Sequence, residues 1–281
     1  MRSTIPLFKR LLIAVSTLLV MSSTQAQAPA HAEFILAVSE GTSSGLDHAR
    51  AIAKYSGLAE AIGRALKLKV QVMFLREFSL LDEGIRSGRF DLVLARPSDY
   101  PARAVRDHGY QFVASARPDG QCLIVTGKDS ALQTIEQAKG GRWVLPEKVA
   151  YMSKFCAAEL RDRGIPLAAE KHVEYVREQA AVTFYLEHKL ADVGAVASYS
   201  SAAKTLEQSG LRVLHKSASQ PYLPLVAGQR VSPEQVRAVQ AELTALPQSE
   251  AGREVLKTVG VQAFDTSSGE RLRGLLGWLG T

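Results

Sequence analysis

Lys69–Ala95 reads KVQVMFLREFSLLDEGIRSGRFDLVLA. Two compact apolar runs, Lys69 to Phe74 and Phe90 to Ala95, bracket a short helical segment that ends near Gly88, with Ser79 placed to cap it. Upstream, Glu33 to Val38 is a further apolar run, followed by the polar, Gly-rich stretch Ser39 to Gly45. A long helical pattern then runs from about Asp47 to Leu66, with Ile52, Leu58, Ile62 and Leu66 at helical spacing. The order is strand, helix, strand, helix, strand. Strands built on largely continuous apolar runs predict parallel pairing in a sheet covered on both faces.

The second half repeats the theme. Strands are predicted at Cys122–Thr126, Arg142–Pro146, His172–Val176, Ala191–Val196 and Leu211–Leu214. Helices are predicted at about Thr134–Ala138, Met152–Arg163 and Glu178–Lys189. Gly164 stands where a helix stop favours glycine. The tail reads as helical, with Ser232 and Pro233 as cap and first residue of one helix, a second over Glu250–Val259 and a third from Gly269 to Trp278. Crossings near Ala114–Gly120 and Ser217–Pro224 would join two α/β halves by two connections. The expected division is residues 29–115 with 220–281 in one lobe and 116–219 in the other.

The N-terminus has the layout of a secretory signal peptide over residues 1–28. Arg2, Lys9 and Arg10 precede the uncharged apolar run Leu11–Met21, and Ala26-Gln27-Ala28 is a small-x-small cleavage site. The run is far shorter than the roughly 20 apolar residues a bilayer-spanning helix needs. Export to the periplasm is the expectation. The leader holds three of the cations behind the net charge of +6, so the remainder is near +3, without a block of like charge. That distribution argues against nucleic acid as a partner. The six histidines, at 31, 48, 108, 172, 188 and 215, form no metal-ligand spacing with one another or with cysteine. Neither catalysis nor a metal or other cofactor is expected. Cys122 and Cys156 are the only cysteines. The sequence leaves three states open for them: a disulfide, two buried inert thiols, or a thiol site for a soft ligand such as an arsenic oxyanion.

Several segments, in order, carry a family likeness. They are Leu81–Val93 with its G-x-F-D turn into a strand, Arg96–Tyr100 with Gly109-Tyr110, Leu123–Ser130 with Ala138–Gly140, Lys189–Ala195 with its A-D-x-G strand, and Ser249–Leu256. Together they resemble the PhnD-like phosphate, phosphite and phosphonate periplasmic binding proteins of the type-2 superfamily. The resemblance implies an α/β fold of two lobes, each a mixed sheet flanked by helices, with a two-strand hinge. It implies a monomeric receptor that closes around a small oxyanion and delivers it to an ABC permease. The same clamp could instead dock on the periplasmic domain of a sensor kinase.

In such folds ligands sit beyond the carboxyl ends of strands, beside helix N-termini whose free amides favour anions. Three places qualify. The loop after the first strand offers Ser39, Thr42 and Ser43. The segment after the third strand offers Arg96, able to bind an oxyanion bidentately, and Tyr100, which matches a family ligand position. Tyr151, Met152 and Ser153 align with the family's Ser/Thr-rich turn, where the oxyanion rests on a helix N-terminus. Only Ser153 keeps a hydroxyl there, apart from the phenol of Tyr151. Glu178-Gln179 replaces the family's His-Asp pair, with Gln179 as a candidate ligand residue, and Ala197 or Ser198 stands where the family's amino-group acid would be. An aminoalkyl phosphonate is therefore disfavoured.

Overall fold

A computed structural model describes residues 33–41 and 47–280. The expected signal peptide, Thr42 and Ser43 lie outside the described residues. No helix among those described is long and apolar enough to cross a membrane.

The strand–helix alternation of the opening stretch forms as the sequence predicts. β1 (Glu33–Ser39), α1 (His48–Leu66), β2 (Lys69–Phe74), α2 (Phe78–Arg86) and β3 (Leu92–Ala95) place β1 parallel to both β2 and β3. Glu77, not Ser79, occupies the cap position of α2, and Ser79 lies within the helix. Gly84 lets α2 settle onto the sheet, because a Cβ there would lie 2.1 Å from the ring of buried Phe90. The aspartate of the G-x-F-D turn is structural. Asp91 is buried, accepts from the Ile35 amide at 2.8 Å and pairs with Arg230 at 2.8 Å.

α3 (Asp99–Asp107) leads into β4 (Gln111–Gly120), and β5 (Cys122–Gly127) begins the second sheet. That half continues with β6 (Arg142–Pro146), α4 (Tyr151–Asp162), β7 (His172–Val176), α5 (Gln179–Glu187), β8 (Val193–Ala197), α6 (Ser201–Lys204) and β9 (Leu211–Lys216). The helix expected over Thr134–Ala138 is only a 3-10 turn at Glu136–Ala138. The aspartate of the A-D-x-G strand is also structural, since Asp192 holds both the Arg142 amide and its guanidinium.

The chain then returns through β10 (Gln220–Ala227), α7 (Pro233–Ala245), α8 (Glu250–Val259), β11 (Ala263–Asp265) and α9 (Gly269–Leu279). Ser232 caps α7 in a reciprocal capping box with Gln235, as the Ser-Pro signal predicts. The tail is not wholly helical. β10 lies between β3 and β4, antiparallel to both, and β11 extends the edge beside β4. The stretches read as bare crossings are thus long strands whose ends pass between the sheets.

The result is two lobes on two mixed sheets, ordered β11-β4-β10-β3-β1-β2 and β7-β6-β8-β5-β9. Alternate residues of the first sheet face opposite cores. Leu36, Val38 and Leu94 pack with Tyr55, Leu58 and Ile62 of α1 and with residues of α7 and α8. Ala37, Val93 and Ala95 face Leu81, Ile85 and the leucines of α9. That second core continues without a break into Trp143, Leu145 and Phe155 of the other lobe. Helix α9 carries the continuity. Trp278 meets Phe155 edge-on at 5.2 Å and donates its indole N–H to Asp162 at 2.7 Å.

Candidate ligand cleft

The carboxyl ends of β1 and β3 meet the N-terminus of α4 around a small cavity. Its lining includes Glu40, Phe78, Arg96, Pro146, Tyr151, Met152, Gln179 and Tyr199, drawn from both lobes. The cavity is about 20 Å³, on a measure where one water needs roughly 10–15 Å³. Larger hollows lie elsewhere, about 520 Å³ between α4, β7 and α9 and about 940 Å³ along α1 and β2. Neither gathers residues from the ends of β1 and β3, so position selects the smaller one.

The first lobe supplies charge. Arg96 leaves β3 with its amide donating to the Ser39 carbonyl at 2.8 Å, which continues the β1–β3 pairing by one residue. Its guanidinium lies over Tyr199 at 5.5 Å and Tyr222 at 5.9 Å, two rings that stack on each other at 4.3 Å. It also pairs with Glu40 at 3.1 Å. Glu40, 1% exposed, takes the ammonium of Lys54 and the hydroxyl of Tyr55, each at 2.6 Å. Burial alone would raise the Glu40 carboxyl, but the charge of Arg96 and the bonds from Lys54 and Tyr55 hold it below the ordinary carboxylate value. Burial pushes the Tyr55 hydroxyl well up, and the Glu40 charge adds to that.

The second lobe supplies backbone. The amides of Tyr151, Met152 and Ser153 open α4 and take no partner among the described residues, while the Lys154 amide already bonds to the Ala150 carbonyl. α4 is anchored at three points. Cys156 is disulfide-bonded to Cys122 at the start of β5. Ser153 donates its hydroxyl to the Pro146 carbonyl at 2.6 Å. Glu159 accepts from the Ala218 amide at 3.3 Å and lies 2.8 Å from His215, beside the return crossing. Across the mouth, Lys154 reaches buried Asp99 of α3 at 3.2 Å.

The candidate residues separate on this geometry. Arg96, Tyr151, Met152 and Gln179 line the cavity. Gln179 spends its carbonyl oxygen on the Ala197 amide at 2.7 Å. Ser153 does not line the cavity, and its hydroxyl is committed to the Pro146 carbonyl. Ser39 is buried at the end of β1, and Tyr100 stacks behind Phe78 at 5.5 Å, under the guanidinium of Arg103. Glu178 is exposed and does not line the cavity. Of the three states open to the cysteines the structure has the disulfide, so no thiol faces a ligand. The sequence did not single out Glu40 of the cavity lining, with its partners Lys54 and Tyr55, nor the aromatic walls Phe78 and Tyr199, nor Tyr222 beside Arg96. Glu40 lay in the quoted loop, but nothing local marks a partner 14 or 15 residues away.

None of the curated proteins is similar enough in sequence to count as a relative. Among solved structures, XAC2383 from Xanthomonas citri bound to ATP superposes with a TM-score of 0.69 at 15% identity, covering 89% of this chain and 97% of that one. PhnD1 from Prochlorococcus marinus in complex with methylphosphonate gives 0.66 at 12% identity, covering 87% and 96%. A binding protein component of an ABC phosphonate transporter from Pseudomonas aeruginosa gives 0.62 at 15%, covering 88% and 85%. At such identities these show the shared two-lobed fold alone. Neither these structures nor the family match favours the sensor role. The profile of one family, described as ABC transporter, phosphonate, periplasmic substrate-binding protein, matches residues 41–272. Order of motifs, two-lobed fold and matched span agree: the chain belongs to the family of periplasmic substrate-binding proteins of phosphonate ABC transporters.

Proposed function

We propose that the cleft captures an oxyanion of the phosphonate class on the first amides of α4, with Arg96 facing it from the other lobe. The observation that carries this reading is the run of unpartnered amides at Tyr151, Met152 and Ser153, opposite a guanidinium fixed by Glu40. A helix N-terminus and an arginine fork are the two devices that suit a tetrahedral anion best. Aromatic and apolar walls at Phe78, Tyr151, Met152 and Tyr199 suit a carbon substituent on that anion. With room for about one water, the cleft as it stands does not admit such a ligand, so capture requires the lobes to part. The moving bodies are residues 29–115 with 220–281 and residues 116–219, turning about the crossings at Gln121 and Ser217–Ser219. The exported chain, its leader removed after residue 28, works as a monomer. It binds without turnover and hands the ligand to an ABC permease.

A thermal-shift screen against phosphate, phosphite, methylphosphonate, phenylphosphonate, sulfate, arginine and glutamine tests this. A phosphonate at a hundred times its Kd stabilises the protein by about 2.7 kcal/mol. Stabilisation by the amino acids, with no response to any oxyanion, overturns the ligand class.

A further inference from the structure

Glu40 is the one acid lining the cleft cavity among the described residues, and an oxyanion receptor has no evident use for it. A buried carboxylate facing an anion costs affinity unless it accepts something from that anion. Its acceptor capacity can be counted, since each carboxylate oxygen has two places. Oε1 takes both Lys54 and Tyr55. Oε2 takes Arg96 and no other group among the described residues. One place is left on Oε2, beside the guanidinium proposed to hold the ligand. A donor on the ligand fills that place. An oxyanion that keeps one acidic proton has such a donor in its hydroxyl. A fully deprotonated one sets lone pair against lone pair.

Resting on the phosphonate-class reading above, we propose that Glu40 is a protonation-state filter. It accepts the hydroxyl of an oxyanion that still carries one acidic proton, and turns away oxyanions of the same shape that carry none. The charged and titratable groups facing Glu40 are Lys54 and Tyr55 from α1, Arg96 from the turn after β3 and Tyr222 from β10, with Tyr199 stacked on Tyr222 beside Arg96. Burial pushes all three tyrosine hydroxyls up, away from neutral pH. The proton that matters near neutrality is then the ligand's own.

Calorimetry with a matched pair, phenylphosphonate and benzenesulfonate, tests the filter, because the sulfonate has the same outline and no remaining proton. Below the second pKa of the phosphonate, the wild-type protein binds it at least about a hundredfold more tightly than the sulfonate. Above that pKa the phosphonate affinity falls about tenfold per pH unit. In Glu40→Gln the gap narrows below about tenfold, because the amide can donate to a bare oxygen. Equal wild-type affinities, a pH-independent phosphonate affinity, or an unchanged gap in folded Glu40→Gln each overturn the proposal. The wild-type comparison stands by itself if the variant does not fold. Binding of neither compound at any pH is a different failure, which removes the phosphonate-class reading and the filter with it.

Discussion

The two lobes face the cleft with opposite chemistry. The first presents an ion network, Lys54–Glu40–Arg96, closed by the Tyr55 hydroxyl and flanked by two stacked tyrosines. The second presents neutral amides at the start of a helix fixed through Cys156, Ser153 and Glu159. Side chains on the first lobe are placed by one another. Donors on the second are placed by the backbone, and its side chains serve mainly to hold the helix still. Substitution should therefore alter ligand chemistry on one side and helix position on the other.

The largest effect is expected at Arg96. Arg96→Ala removes the charged fork and weakens phosphonate binding by about 2–5 kcal/mol, read by calorimetry. It also leaves Glu40 with one cation fewer in a buried place and lowers the melting temperature. A variant that binds as well as the wild type would break the contrast, by showing that the α4 amides suffice. Next is the disulfide. The 34-residue separation of Cys122 and Cys156 makes the loss in a double Cys→Ser variant about 4 kcal/mol of stability in denaturant titration, with wild type and variant converging under reductant. Smaller again is Ser153→Ala, expected to cost about 1–2 kcal/mol through the orphaned Pro146 carbonyl while phosphonate affinity stays within about threefold. A larger loss of affinity would return the Ser153 hydroxyl to the ligand and blur the division between lobes.

The smallest effect concerns acid. The Glu40 carboxyl is held below its ordinary value of 4.5, so the folded protein takes up this proton less readily than the unfolded chain. Its stabilising contribution is complete above that value and is lost as pH falls through the lower folded one. Chemical unfolding measured as a function of pH should fall more steeply below 4.5 in the wild type than in Glu40→Gln. Parallel curves would mean that the network leaves no mark on stability.

How much of this was legible follows the same divide. Arg96 could be found because it stands at the carboxyl end of a strand, a place fixed by topology. The α4 turn could be found because a helix start has free amides whatever its side chains are. The use of Ser153 for Pro146 could not, since a hydroxyl near a helix start serves a ligand or a carbonyl equally well until the loop is folded. Nor could the partnership of Glu40 with Lys54 and Tyr55, which depends on α1 folding back over the end of β1. β4 and β10 escaped because Pro118 and Gly120, and Pro221 and Pro224, read as turn punctuation. These strands tolerate such residues because their pairing is irregular, with register shifts between Gln220 and Val226.

The position of β10 also sets a timetable. β3 and β4 belong to one sheet but are not neighbours; the strand between them is Gln220–Ala227, encoded after the whole second lobe. A chain emerging from its N-terminus, at a ribosome or through a membrane pore, has a gap in its first sheet until that strand arrives. Until α9 follows, the core shared by the two lobes lacks its bridge. The early chain is thus kept by its own topology from locking until nearly all of it is present.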